Sequence, residues 1–154
     1  IFPAVSAALA KEQETGAPAG AMVMPDGKVI TGKTSHLLGA SAALLLNALK
    51  YLGGIDHDLD LISAQVLEPI CQLKTKNLGG KNPRLHSDEI LIALAISAAT
   101  DPLAAKALDM VGALRDCDAH SSVILSSADS KTYSRLGVHL TCTPQYQSNK
   151  LFHR

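Results

Sequence analysis

Gly27, Gly32, Lys33 and Thr34 occupy the four fixed places of the pattern G-x-x-x-x-G-K-[ST] within the stretch GKVITGKTS. In a phosphate loop of that spelling, backbone N–H groups wrap the phosphates, the lysine reaches the outer ones and the hydroxyl holds Mg²⁺. Wrapping needs a permissive backbone. Here the four variable places are Lys28, Val29, Ile30 and Thr31, three of them β-branched and stiff, which suits a strand. The apolar runs Met22 to Met24 and Val29 to Thr31 flank Pro25-Asp26-Gly27, where proline presets one dihedral and glycine takes the positive one. The stretch is therefore expected to be a β-hairpin running into a helix. At that junction two readings stay open. Either Thr34 or Ser35 caps the helix, or the N–H groups there and the Lys33 ammonium hold an anion.

Two other clusters join a potential acid or base to anion-binding groups at an element end: Asn82, Arg84, His86 and Ser87, and Asp118, His120, Ser121 and Ser122. The second spells serine, histidine and aspartate, but working triads are assembled from distant segments, and no G-x-S-x-G elbow occurs. A polar cleft of Lys33, Ser35, His36, Arg84 and His86, with Thr34 beside it, is the preferred site for a small anionic ligand. Helix capping and loop solvation account for the same residues without a ligand. None of the six histidines forms an H-x-x-x-H or H-x-H pair, so no metal site is written locally and no cofactor is expected. His57, inside Asp56 to Asp60, reads as part of a solvated acidic turn, with a contribution to a cation site as the alternative; His139 and His153 read as structural or solvated.

The elements that must position these groups follow from periodicity and punctuation. Ala4 to Glu14 reads as a helix stopped by Gly16 and Pro18. After the hairpin, His36 to Leu52 is a nearly all-apolar helix ending at Gly53-Gly54, and Asp58 to Ser63 alternates as a strand does. A helix is expected from Pro69 to Leu78, and another after Ser87 as N-cap, with Asp88 and Glu89 in its first turn. Asp101-Pro102 opens a helix to about Arg115, SSVILSS reads as an interior strand, Ser127 to Leu136 as a helix, and VHLTCT as a last strand. This order predicts an α/β domain with a mixed sheet of about five strands and helices on both faces.

The 154 residues, 47% apolar, suffice for one domain with its own core, and residues 1–154 are taken as a single α/β unit. Fourteen basic residues balance 14 acidic ones, so no broad positive field exists to hold nucleic acid or an anionic membrane. The most apolar run, Leu37 to Leu46, falls short of the ~18 residues that cross a bilayer. Cys71, Cys117 and Cys142 are odd in number and far apart, which suits a reducing cytosol. The opening IFPAVSAALA has neither methionine nor a basic leader, as expected of part of a longer polypeptide. Residues 144–154 place Tyr146 and Phe152 in a polar context, a tail suited to docking on its own domain or another subunit.

The runs GKVITGKTSHLLG, LGGKNPRLHSDEILIALAISA, CDAHSSVILS and LGVHLTCTPQYQSNKL resemble the C-terminal region of the bacterial uncharacterised protein family 0371, or domain-of-unknown-function family 1846. Four blocks match in order, from about Ala10 onward. The resemblance implies a much longer polypeptide, a glycine-rich phosphate-loop-like stretch upstream, and a three-layer α/β/α sandwich with cytidine-deaminase-like topology. Deaminase zinc chemistry needs H-x-E and P-C-x-x-C. Here Leu37 and Leu38 follow His36, and Pro69 is followed by Ile70 and Cys71, so the fold is expected without that reaction. The function expected is a ligand-binding or regulatory domain of a larger cytosolic protein, its partners a small anionic or nucleotide-like ligand and the N-terminal region of the same polypeptide. The alternatives are a structural domain for homo-oligomeric assembly, and a hydrolytic enzyme using His86 or His120.

Overall fold

The computed structural model describes residues 2–146. It is an α/β protein with six α-helices and a four-stranded mixed sheet, in the order β2-β1-β3-β4. Strands β1 (Ala19–Val23) and β2 (Val29–Lys33) form the expected hairpin, with Met22 opposite Ile30 and Val23 opposite Val29. Its turn closes with Met24 N–H donating to Lys28 O at 2.7 Å, while Gly27 takes φ +89° and the Asp26 carboxylate accepts from Lys28 N–H. Val29 to Thr31 are thus flat in a ladder, and the phosphate-loop spelling is accidental. Gly32 is needed for another reason. A Cβ there would collide with the backbone N of Leu44 and lie 2.5 Å from its Cα, so the glycine lets β2 and the following helix touch.

Strand β3 (Asp118–Ser121) pairs antiparallel with β1, and β4 (His139–Cys142) pairs parallel with β3. Two sequence expectations are corrected here, and with them the count of about five strands becomes four. Asp58 to Ser63 is a turn, not a strand: the Asp56 carboxylate accepts from Asp58 N–H, Leu59 is 45% exposed, and Leu61 and Ile62 are both buried, so the alternation is broken. The strand assigned to SSVILSS begins earlier, at Asp118. Ser122 N–H still donates to Ala19 O, but β1 starts there, and Val123 to Leu125 leave the sheet with no strand to pair with.

Helix α1 (Phe2–Thr15) ends at Gly16, whose φ is +75°. Its Ala4 and Ala8 pack on Ala21 with Val23 and Val29, while the alternate residue Met22 joins the main core, so neighbouring positions of β1 serve two clusters. That main core is filled by α2 (Ala40–Leu52), with Leu44, Leu45 and Leu49, and by α4 (Ser87–Ser97), with Ile90 and Leu94. Helix α2 starts at Ala40 with Gly39 as N-cap, later than His36, because Ser35 Oγ accepts from Leu38 N–H and folds 35–38 into a tight strap. Neither Thr34 nor Ser35 caps a helix.

Helix α3 (Ala64–Gln72) holds Pro69 in its interior instead of at its start. Proline lacks the N–H that would reach back one turn, and a π-helical turn, Leu73–Asn77, follows within one turn. The N-cap of α4 is His86, one residue before the expected Ser87, with its backbone N–H donating to Glu89 Oε1 at 2.7 Å. Asp101 caps α5 (Pro102–Asp109) by accepting from Leu103 N–H, and the helix gives way to a 3-10 turn, Val111–Leu114, short of Arg115. Ser126 Oγ accepts from Asp129 N–H to cap α6 (Ser127–Arg135), again one residue earlier than read. Among the described residues no helix is long and apolar enough to cross a membrane.

Candidate functional site

Strands β2, β3 and β4 end on the same edge of the sheet, because each runs opposite to β1 or parallel to a strand that does. The chain leaves β2 into α2 and β3 into α6, so both helices begin at that edge; α4 joins them there through the bridge between Leu38 and Leu85. The result is a cleft of about 360 Å³, entered between the first turns of three helices. Its polar side is made of Thr34, Ser41, Asn82, Arg84, His86 and Asp129, and its apolar side of Val123, Ile124, Leu125 and Tyr146. Early N–H groups of a helix have no intrahelical partner and carry the positive end of its dipole. The cleft thus collects the positive ends of three helix dipoles around the charged side chains Arg84, His86 and Asp129.

Each polar group is held from behind. Asn82 Oδ1 accepts from Arg84 N–H at 3.0 Å, and the Arg84 side chain donates through Nε to Ser35 O at 2.7 Å. Lys74 donates to Arg84 O and to Glu89 Oε1, locking the start of α4 to the π-helical turn. Thr34 Oγ1 donates to Pro18 O at 2.7 Å. On the floor, the buried Asp129 carboxylate accepts from Ser87 N–H at 2.8 Å and Ser87 Oγ at 2.5 Å, and faces His86 Nδ1 at 3.6 Å. Burial works against ionisation of Asp129, yet the groups donating from His86, Ser87 and Ser41 outweigh it and bring its carboxyl down from 3.8 to about 2. Pairing with that carboxylate raises the His86 pKa above its ordinary value, against the opposing effect of burial. His86 is thus biased toward its cationic form at the cleft mouth.

The structure divides the six residues singled out from the sequence. Thr34, Arg84 and His86 line this cleft. Ser35 and His36 line a second hollow of about 310 Å³ with Asn47, Lys50 and Asp60, and Ser35 reaches the first only through the carbonyl that holds Arg84. Lys33 is exposed at the end of β2 and lines neither. Ser41, Ser126 and Asp129 were not found from the sequence as site residues. The spacing Ser126-x-x-Asp129 was the available signal for a helix start, but it says nothing about α4 lying opposite.

The remaining candidates are occupied internally. His120 is buried in β3, with Nδ1 at 2.7 Å from Thr141 Oγ1 and Nε2 at 2.8 Å from Thr143 Oγ1. Ser121 donates to Val123 O and Ser122 to Glu12 Oε2, so neither hydroxyl is aimed at that imidazole. Ser87 donates to Asp129 rather than to a histidine ring, which puts the carboxylate where a triad would place the base. His57 is exposed and offers its carbonyl to the buried Lys50 ammonium at 3.0 Å. No group of three or more His, Cys, Asp or Glu is placed to hold a metal ion among the described residues. Of the tail, Gln145 is tied to Ser122 O at 2.6 Å and to Ile124 N–H at 2.7 Å, and Tyr146 is 83% exposed; Phe152 and His153 lie outside the described residues.

The chain is 53% identical to the UPF0371 protein of Corynebacterium efficiens over 150 residues, which cover 97% of this chain and 30% of that protein. It is 52% identical over 143 residues to a UPF0371 protein of Corynebacterium diphtheriae, covering 93% and 29% respectively. A UPF0371 protein of Streptococcus thermophilus is 47% identical over 150 residues, again 97% of this chain and 30% of the relative. The chain thus spans about 30% of the length of these relatives. With the family model "Domain of unknown function DUF1846, C-terminal" matching residues 1–152, the chain belongs to that family.

Proposed function

We propose that this domain binds a small anionic or nucleotide-like molecule, and that it serves a larger polypeptide as a ligand-binding or regulatory unit. The observation that carries the reading is the meeting of Arg84, His86 and Thr34 with the first turns of α2, α4 and α6 around one cleft. Anionic oxygens are stabilised at helix starts by the dipole, and a guanidinium pairs with them through directed bonds. Lys33, adjacent to Thr34, contributes charge at longer range, while Ser35 fixes Arg84 and His36 belongs to the rim of the neighbouring hollow. Val123, Ile124 and Tyr146 give an apolar wall for the uncharged part of the ligand. Position at the carboxyl ends of strands β2, β3 and β4 supports the same reading, since α/β sheets bind ligands there.

The fold is read as a three-layer α/β/α sandwich of deaminase-like arrangement. Support comes from α1 and α2 serving different clusters on alternate residues of β1. A cytoplasmic setting goes with the three free cysteines.

The test is calorimetry and thermal shift with inorganic phosphate and nucleoside mono-, di- and triphosphates. A ligand at 100 times its Kd stabilises the native state by about 2.7 kcal/mol. At about 2–4 °C per kcal/mol, the melting point rises by about 5–10 °C. Arg84→Met and His86→Gln each weaken that response at least tenfold in Kd. If no phosphate or nucleotide raises the melting point, or if both variants respond like the native chain, the reading fails.

A further inference from the structure

Helix α4 has no charged residue between Glu89 and Asp101, the composition of a helix enclosed on all sides. It is enclosed on one side only. Ile90, Ala93 and Leu94 are buried, whereas Ile92 is 61% and Ile96 68% exposed, with Ala95 exposed between them. Residues 92, 95 and 96 share one helix face by their three- and four-residue spacing. Single exposed apolar residues are ordinary, but two isoleucines one turn apart, beyond the acidic first turn of Asp88 and Glu89, form an apolar strip along the rest of the helix.

We propose that this strip is the seat of the rest of the polypeptide, the part outside the 154 residues. In the curated relatives the matching region accounts for only about 30% of the length, so a polypeptide of their length has more than twice this chain's length available to cover the strip. A second copy of the chain fits less well on size. The 11-residue helix is about 17 Å long and about 10 Å wide, a footprint under about 200 Å². A stable dimer needs about 800 Å² from each partner. A segment of the same polypeptide docks from an effective concentration on the order of millimolar, so a small apolar strip is enough to seat it. The occupant has an apolar face that accommodates two isoleucine side chains and closes over Ala95, where the small side chain admits near approach.

The full-length polypeptide carrying the photo-cross-linker p-benzoylphenylalanine at position 96 tests this, with the same group at the exposed position 131 of α6 as control. Irradiation is expected to leave the product at monomer mass, with the cross-link from position 96 mapped to peptides outside the domain and at least fivefold above the control. A product at dimer mass, a cross-link confined to the domain, or a yield equal to the control overturns the proposal. An Ile92→Asp/Ile96→Asp variant changes only exposed positions, so the domain keeps its fold. It is expected to speed limited proteolysis of the full-length protein at the domain junction several-fold; an unchanged rate also counts against the docking.

Discussion

Replacing Asp129 by Asn keeps the shape of the cleft floor and removes its buried charge. The native carboxylate accepts two bonds from Ser87, at 2.8 and 2.5 Å, and faces His86 Nδ1 at 3.6 Å. Both bonds end on Oδ1, so an amide oxygen in that place keeps them, while its NH2 replaces the Oδ2 that faces His86 and gives it no counter-charge. Asp129 is brought from 3.8 to about 2, a change worth about 2 kcal/mol at ~1.4 kcal/mol per tenfold change in proton affinity. The sign follows from linkage. A carboxyl whose folded pKa is depressed adds stability above its unfolded value and loses it as pH falls through the folded value. The raised pKa of His86 adds stability that is complete below its ordinary 6.5 and is lost as pH rises through the folded value. The native chain should therefore exceed Asp129→Asn in stability most clearly between about pH 4 and pH 6.5, by about 2 kcal/mol, and the gap should narrow toward pH 2 and again above neutrality. Urea unfolding of both chains at half-unit pH intervals measures the gap directly. A difference equal at pH 2.5 and pH 5.5 would refute the charge reading and leave only a packing effect.

Gly32→Ala is expected to destabilise the chain by about 1–3 kcal/mol, since its Cβ meets the Leu44 backbone rather than a movable side chain; denaturant titration checks it, and a loss below ~0.5 kcal/mol would return Gly32 to the phosphate-loop reading. Tyr133→Phe removes the buried bond from Tyr133 OH to Ser41 O at 2.7 Å and lowers stability by about 0.5–1.5 kcal/mol, with a matching fall in melting point.

Local features were readable where the determining contacts are local. The hairpin is specified by Pro25-Asp26-Gly27 between two apolar runs, and Asp101-Pro102 and Gly137 mark helix ends by their own backbone preferences. Helix starts at His86 and Ser126 were misplaced by one residue, because several polar residues stand side by side and only the bond to Glu89 or to Asp129 N–H selects among them. SSVILSS misled for a different reason. Apolar content records burial, and Val123 is buried beside the cleft rather than in a strand.

The sequence by itself determined the class of the domain, the hairpin that rules out a phosphate loop at GKVITGKTS, and the lack of a strong charge field, since these depend on neighbours in the chain and on composition. Only the tertiary structure decided which polar residues share a cleft. Ser87 and Asp129 are 42 residues apart, and Arg84 meets Ser35 across 49; both pairings exist because sheet and helices bring separate strand ends and helix starts to one edge. Long-range packing of that kind leaves no periodic signal in the chain, so Thr34 and His36, two residues apart, end in different hollows.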